Sequence, residues 1–216
     1  MSLLTRFEKS IDERGETLKV GLVGAGQMGQ GIVTQLSKSK GIELSLIIDK
    51  NQNKLEKALE KCQNIKVKPT LSQTIESIDE FQLDIVIEAT GTPSSGADVA
   101  KKVLNRGINL ILLNVETEAT IGLALRNEAQ NNNCIVTVGD GDEPVAAVEL
   151  FDFATELSLD VVAIGKGKNN PFNCFATPQE LEKEALSKKM NPHMLTSFVD
   201  GSKTMIEMAA LANFID

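Results

Sequence analysis

Five groups of residues have types and spacing that could do chemistry. The first is Gly24-Ala-Gly26-Gln27-Met28-Gly29. In a G-x-G-x-x-G loop the first glycine allows a tight turn, the second lets a pyrophosphate approach the backbone, and the third lets helix pack on strand. The pattern alone is common. Here the apolar run Leu18–Val23 precedes it and a helical pattern follows, so free N–H groups of a helix N-terminus would meet the phosphates. Asp49 closes the next apolar run, about where an acidic residue accepts hydrogen bonds from the ribose hydroxyls. Lys50 is adjacent and Lys54 is one helical turn on, and either could pair with a 2′-phosphate, so NAD and NADP both stay open. The bland alternative is a glycine-rich turn with two solvated lysines.

The second group is Glu88-Ala-Thr90-Gly91-Thr-Pro93, at the end of another apolar run. Ligands of open parallel sheets sit beyond such ends, and small residues there leave room for the nicotinamide half of a dinucleotide. Read only as a turn, the segment would have Ser94 or Ser95 as a helix cap. The third group is Asn114-Val-Glu116-Thr117 with Gly139-Asp140-Gly-Asp142-Glu143-Pro144. Thr90, Gly91, Asn114 and Glu116 are the candidate cofactor residues at these strand ends. The carboxylates of Glu116, Asp140, Asp142 and Glu143 could converge to hold a divalent cation or to orient substrate hydroxyls. Acids in loops are more often solvated or capping, so a divalent metal is the weaker reading and no metal ligand is assigned. The fourth group is Gly165-Lys166-Gly-Lys168-Asn-Asn-Pro171. Lysines at a strand end can polarise a carbonyl or grip an anionic substrate; otherwise they form a basic turn on an acidic protein. The fifth is Ser197–Thr204. If helical, Asp200 and Lys203 share a face and could act as proton relay and carbonyl grip. As a surface pair they would contribute only about a few tenths of a kcal/mol. His193 follows Pro192 in a loop and receives no role.

The elements that must position these residues alternate. A short amphipathic helix is expected within 1–17, with Leu3, Leu4, Phe7 and Ile11 on one side. Strands are expected at 18–23, 42–49, 65–68, 83–90, 108–114 and 134–138, and helices from the glycine loop to about 39, then at 51–62, 95–106 and 121–131. Continuous apolar strands joined by helical crossovers predict an α/β fold with a doubly wound parallel sheet over 18–144. Beyond it, a helix at 145–158, a seventh strand at Val161–Ile164, a charged helix at 178–190 and helical spacing through much of 194–212 read as a second part, 145–216.

Composition narrows the function. The chain has 216 residues, with 22 Lys and Arg against 30 Asp and Glu, a net charge of −8. Without a separate basic stripe, such a chain repels phosphate backbones, so no nucleic-acid partner is expected. It has no Tyr, which excludes the Tyr-x-x-x-Lys acid of short-chain dehydrogenases, and one His, which excludes a zinc site with several His ligands. Cys62, Cys134 and Cys174 form no C-x-x-C pair. With no secretion signal at the start and no apolar run of about 18–20 residues, a reducing cytoplasm and no membrane partner are expected.

At these residues the sequence resembles the homoserine dehydrogenase-like oxidoreductases, from about Leu18 to the end. Gly24–Gly29, Val86-Ile-Glu-Ala-Thr-Gly91-Thr-Pro93 and the late Asp200…Lys203 follow that family's order of parts. The stretches Leu113–Glu116, Gly141–Pro144, Gly165–Pro171 and Met194–Thr204 are similar to the branch whose full-length members carry a C-terminal SAF domain, the deoxyxylulose-5-phosphate reductoisomerase-like branch. The resemblance implies a Rossmann domain followed by an α+β substrate and dimerisation domain in which Val161–Gly165 is a sheet strand. It implies NAD(P)(H)-dependent chemistry in a homodimer or higher homo-oligomer. Lys203 and Asp200 take the places of the family's catalytic lysine and its acidic neighbour, and Gly165–Asn170 that of a strand end and its Asn-containing loop. Two departures matter. The fifth strand ends Asn114-Val115-Glu116 where homoserine dehydrogenases have Asn-Lys, which argues against homoserine as substrate. Relatives of the branch also continue past the position of Asp216, so the SAF domain is expected to be absent here and the substrate domain incomplete.

The expected function is therefore oxidation or reduction, with NAD or NADP, of a small polar hydroxy or keto compound, phosphorylated or not. Lys203 would handle the carbonyl oxygen, Asp200 would hold Lys203, and Lys166 or Lys168 would grip a substrate anion. One alternative is a reductoisomerase using NADPH, with Mg²⁺ or Mn²⁺ on the acidic loops. Another is a non-catalytic dinucleotide-binding regulatory module.

Overall fold

The apolar run at 18–23 becomes β1 (Leu18–Val23), and five further runs join it in one sheet: β2 (Ile42–Ile48), β3 (Thr70–Ser72), β4 (Ile85–Glu88), β5 (Asn109–Leu112) and β6 (Val136–Val138). The computed structural model describes residues 2–62, 65 and 67–215. Strand order is β3-β2-β1-β4-β5-β6 and every pairing is parallel. The winding direction therefore reverses between β1 and β4, where Val23 lies opposite Glu88. A doubly wound sheet opens a crevice at that reversal, beyond the strand C-termini.

The crossovers and flanks of the sheet are α1 (Leu3–Arg14), α2 (Gln27–Leu36), α3 (Gln52–Lys61), α4 (Pro93–Leu104) and α5 (Val115–Asn131). Alternate strand residues point to opposite faces, so each face builds its own core. On one face Leu22, Leu44 and Ile47 of the sheet pack with Val33 of α2 and Leu55 of α3. On the other, Val86, Leu110 and Leu112 pack with Val103 and Leu104 of α4 and Leu125 of α5. These residues and the ends of this sheet belong to a unit spanning Met1–Gly139; a second compact unit spans Asp140–Asp216.

Several expectations shift. The strand expected at 65–68 includes Lys66, which lies outside the described residues; the strand that pairs with β2 is Thr70–Ser72 instead. An edge strand of this kind has Thr and Ser rather than an apolar run, so hydropathy misses it. Helix α4 is capped by Thr92, not by Ser94 or Ser95: Pro93 fits the first helical turn, and the Thr92 hydroxyl accepts from Ser95 N–H at 3.3 Å. Helix α5 begins at Val115 rather than at 121, because Asn114 caps it and accepts from Thr117 N–H at 3.1 Å.

The second unit contains α6 (Glu143–Glu156), α7 (Glu182–Ser187), α8 (Pro192–Val199) and α9 (Ser202–Ile215). The strand expected at 161–164 is not formed, and Val162 is 95 % exposed. A strand exists only against a neighbour, and the described residues of this unit offer none, so the expected α+β character is here all helical and irregular. The helical spacing of 194–212 is interrupted at Asp200-Gly201, so Asp200 and Lys203 do not share one helix; Asp200 instead accepts from Ser202 N–H at 2.8 Å. His193 sits in the first turn of α8, not in a loop.

The tightest packing in the sheet unit lies where β1 turns into α2. A Cβ on Gly29 would overlap the Gly24 carbonyl oxygen. Gly29→Ala is therefore expected to lower stability by about 1–3 kcal/mol, seen as a lower urea midpoint.

Candidate functional site

In the first unit the glycine loop is held by its neighbours in the sheet. Gly24 has φ +103°, a region open to glycine, and a Cβ there would stand 2.5 Å from the Ala89 carbonyl oxygen. Gly24 N–H donates to Ile48 O at 2.7 Å, and Ala89 N–H donates to Val23 O at 2.7 Å. Gly26 differs: it caps α2, and an added Cβ would meet nothing within 4 Å. Its open side, followed by the exposed Gln27 and Met28 at the helix start, is where a pyrophosphate would lie against free N–H groups. Asp49 is locked in place. One carboxylate oxygen accepts from Ala25 N–H at 2.8 Å and the other from Asn51 N–H at 2.8 Å. A carboxylate has about four acceptor positions, so two remain for ribose hydroxyls. Lys50 and Lys54 are exposed.

At the end of β4, Glu88 is fully buried. Its carboxylate accepts from Thr90 N–H at 2.6 Å and from the Thr90 hydroxyl. Burial pushes the Glu88 carboxyl above the usual range; Thr90 and the Asn114 amide oppose this, and the nearby Glu116 charge adds to it. Asn114 is itself buried, and its amide nitrogen donates to the Thr92 carbonyl at 2.9 Å. Glu88 and Asn114 thus order the Thr90-Gly91-Thr92 loop from beneath. Gly91 is exposed, and a Cβ there would also meet nothing within 4 Å. Glu116 is half-buried in the first turn of α5.

The second unit gathers a different set of charges from the one expected. Of the four acids proposed to converge, Glu116 belongs to the first unit, and Asp140 is exposed. Asp142 and Glu143 are joined instead by Glu207 of α9, with carboxylate oxygens of the three within 4.8 Å of one another. Lys166 bridges this group: its ammonium donates to Glu143 at 2.9 Å and to Glu207. Burial opposes the charge on Lys166, but the two carboxylates outweigh it and raise its pKa. The same ammonium, with Asp142, holds Glu143 down at about 2. Asp142 caps α6; burial and the Glu143 carboxyl push it up to about 6, against the pull of Lys203. Lys203 thus acts electrostatically on Asp142, while Asp200 is engaged with Ser202. These three carboxylates could ligate a metal, yet the Lys166 ammonium already serves as the cation of two of them, Glu143 and Glu207. Lys168 donates to the Phe198 carbonyl.

Glu207 is the residue that sequence reasoning missed. It is 1 % exposed, on a helix otherwise lined with Met205, Ile206, Met208 and Ala209. An acid inside an apolar helical pattern is the available signal, since a buried charge requires a partner.

A cavity of about 630 Å³ opens beside this cluster within the second unit, and Glu143, Lys166, Lys168 and Asn170 line it together with Leu181, Leu195 and Phe198.

Comparison with known proteins agrees with this division. The family model "Homoserine dehydrogenase, NAD binding domain" matches residues 24–139, and "Oxidoreductase DRL, catalytic domain" matches residues 141–216. Among solved structures, GenD2 from gentamicin A biosynthesis in complex with NAD aligns at 19 % identity and TM-score 0.51, over 65 % of this chain and 40 % of that one. A homoserine dehydrogenase from Thiobacillus denitrificans aligns at 22 % identity and TM-score 0.50, over 57 % of this chain and 29 % of that one. The S. aureus homoserine dehydrogenase at pH 7.5 aligns at 16 % identity and TM-score 0.50, over 68 % and 46 % respectively. At these identities the likeness is one of fold, and the chain spans less than half the length of each of these structures. No curated protein sequence matches the chain.

Two outcomes follow from the buried charges. The Glu88 carboxyl is raised above its unfolded value of about 4.3, so its ionisation opposes folding above that pH. Glu88→Gln should therefore raise the melting temperature at about pH 7, by an amount that shrinks as pH falls toward about 4. Lys166→Met leaves Glu207 buried without its cation and should cost about 3–5 kcal/mol in urea unfolding. The double variant Lys166→Met/Glu207→Met should recover most of that loss.

Proposed function

The chain belongs to the homoserine dehydrogenase NAD-binding domain family, and from that premise we propose that it is an NAD(P)-dependent oxidoreductase acting on a small hydroxy or keto compound. The observation that carries this reading is the glycine loop, with Gly26 open to space beside an oriented Asp49. Gly24, Gly26, Gln27, Met28 and Gly29 would bind the pyrophosphate, and Asp49 the adenosine ribose. Thr90 and Gly91 would border the nicotinamide half. The cofactor would supply the hydride chemistry, and the residues of this chain would supply binding and proton handling.

NAD is favoured over NADP. Accommodating a 2′-phosphate near Lys50 or Lys54 would require Asp49 to swing away, and that would break two hydrogen bonds to the backbone. In the second unit Lys203 would handle the substrate oxygen. Its charged neighbour in this role is Asp142, and Asp200 contributes by shaping the turn before α9. A metal-dependent isomerisation draws less support, because the Lys166 ammonium sits among the carboxylates that would hold the ion. Exposed Leu150, Phe153 and Val162 support self-association through the second unit. The net negative charge supports small-molecule rather than nucleic-acid partners. Among the described residues, no helix is long and apolar enough to cross a membrane.

Titration with NADH and NADPH, followed by nicotinamide fluorescence, tests the cofactor reading. NADH should bind in the micromolar range and NADPH about tenfold or more weakly, since losing Asp49's ribose bonds and meeting its charge costs about 1.4 kcal/mol or more. Gly26→Ala should weaken NADH with little loss of stability. Lys203→Met should leave NADH affinity within about threefold while removing turnover. Absence of binding by either cofactor would end the oxidoreductase reading, and binding without turnover on any carbonyl compound would favour a regulatory module.

A further inference from the structure

Two loops meet where the winding of the sheet reverses, and they are held in different ways. The Gly24–Gly29 loop is set by backbone clearance, with Gly24 against the Ala89 carbonyl. The Thr90-Gly91-Thr92 loop beside it is half-buried at Thr90 and exposed at Gly91 and Thr92. Two buried side chains fasten it: Glu88, the last residue of β4, and Asn114, just past β5. Glu88 Oε1 accepts from the Thr90 N–H at 2.6 Å and from the Thr90 hydroxyl. The Asn114 amide nitrogen donates to the Thr92 carbonyl at 2.9 Å. One end of the loop is thus tied to β4 and the other to the end of β5. An added Cβ on Gly91, between these ties, would meet nothing within 4 Å.

The two fastening residues are spent on this task. Asn114 is engaged through both ends of its amide, because its oxygen caps α5 by accepting from Thr117 N–H at 3.1 Å. Buried and occupied in this way, it acts through the loop rather than on a dinucleotide directly. Glu88 brings a cost to the fold. Its Oε2 is buried with no hydrogen-bond partner among the described residues, and burial disfavours its charge. A residue that opposes folding, yet ties down an exposed loop at a strand end, contributes to the site rather than to the core. The physical link to binding is simple. A loop that is in its binding form only part of the time weakens its ligand by that fraction.

We propose that Glu88 and Asn114 are positioning residues that hold the Thr90-Gly91-Thr92 loop ready for the nicotinamide half of the dinucleotide. The Gly24–Gly29 loop and Asp49 take the adenosine and pyrophosphate half without their help. This rests on the reading of the first unit as a nicotinamide-dinucleotide site. What the loop uses at position 88 is an acceptor oxygen and not a charge, so an amide can replace the acid there.

Calorimetric titration of the full chain with NADH, and with ADP-ribose, which lacks the nicotinamide, tests the proposal. The parent is expected to bind NADH about tenfold or more tightly than ADP-ribose. Glu88→Leu removes the acceptor and should bring NADH down to the ADP-ribose affinity, a loss of about tenfold if the loop is then ordered about a tenth of the time. ADP-ribose itself should stay within about twofold. Glu88→Gln keeps an acceptor oxygen and should hold NADH within about threefold of the parent. A residue that only supported the fold would move both ligands together. Asn114→Ser keeps a capping oxygen for α5 but loses the bond to the Thr92 carbonyl. It should show the same split between the ligands, and it decides the matter if Glu88→Leu does not fold. The proposal is overturned if the parent binds the two ligands equally, or if a folded Glu88→Leu or Asn114→Ser binds NADH as the parent does or weakens both ligands alike. It is equally overturned if Glu88→Gln loses as much NADH affinity as Glu88→Leu, or if neither Glu88→Leu nor Asn114→Ser folds. Parent binding of both ligands, with no split in the variants, would remove this proposal alone. Parent binding of neither ligand would end the cofactor reading and this proposal with it.

Discussion

Between the end of β1 and the start of α2 there is no room for a side chain, and the first unit is organised around that fact. Gly29 presses on the carbonyl of Gly24, and Gly24 presses on the backbone of Ala89 at the end of β4. Strand, helix and neighbouring strand are thereby brought to backbone contact. The loop that results has one glycine, Gly26, facing open space at the head of a helix. Asp49 ties the same loop to the end of β2 through the Ala25 N–H. The close approach therefore sets three things together: where the helix dipole points, where an acid stands, and which way the crevice of the sheet opens.

Buried acids are the second theme, and each orders something. Isolated carboxylates are costly to bury, so each must be hydrogen-bonded, paired or neutral. One oxygen of the buried Glu88 carboxyl accepts from the backbone and hydroxyl of Thr90 and so shapes the loop that follows β4. Glu207 satisfies its charge with Lys166 and so fixes where that ammonium stands. Glu118, also buried, is met by Arg126 from the same helix. In the second unit the consequence is chemical as well as structural. Lys166 becomes a fixed cation between carboxylates rather than a mobile grip for an anion. Asp142 and Glu143 are driven to opposite ends of the carboxylate range, one at about 6 and one at about 2.

The sheet unit was largely legible because its strands are buried on both faces. Runs such as Leu18–Val23 and Leu83–Ile87 carry an apolar signal that survives whatever packs on them. The glycine spacing and Asp49 were legible for a related reason: backbone clearance and a single carboxylate are local requirements. Caps were less legible. The start of α5 depends on Asn114 turning its side chain back onto Thr117 N–H, and β3 is an edge strand without an apolar run. Both are settled by neighbours rather than by periodicity.

In the second unit, local sequence determined the helices but not the charge pattern or the extended segment. Val161–Ile164 has the composition of a strand, but a strand needs a partner, and that is a tertiary matter. Asp200 and Lys203 have helical spacing, yet the turn at Asp200-Gly201 separates them, and Lys203 acts on Asp142 instead. Glu207 is more than forty positions from Lys166 along the chain, as the separation of 41 between them shows. The sequence by itself determined the parallel sheet, the glycine turn between β1 and α2 and the place of Asp49 at the end of β2, because those follow from burial on two faces and from steric clearance over a few residues. Only the tertiary structure decided which carboxylates share Lys166, because ion pairing depends on distance in space and not along the chain.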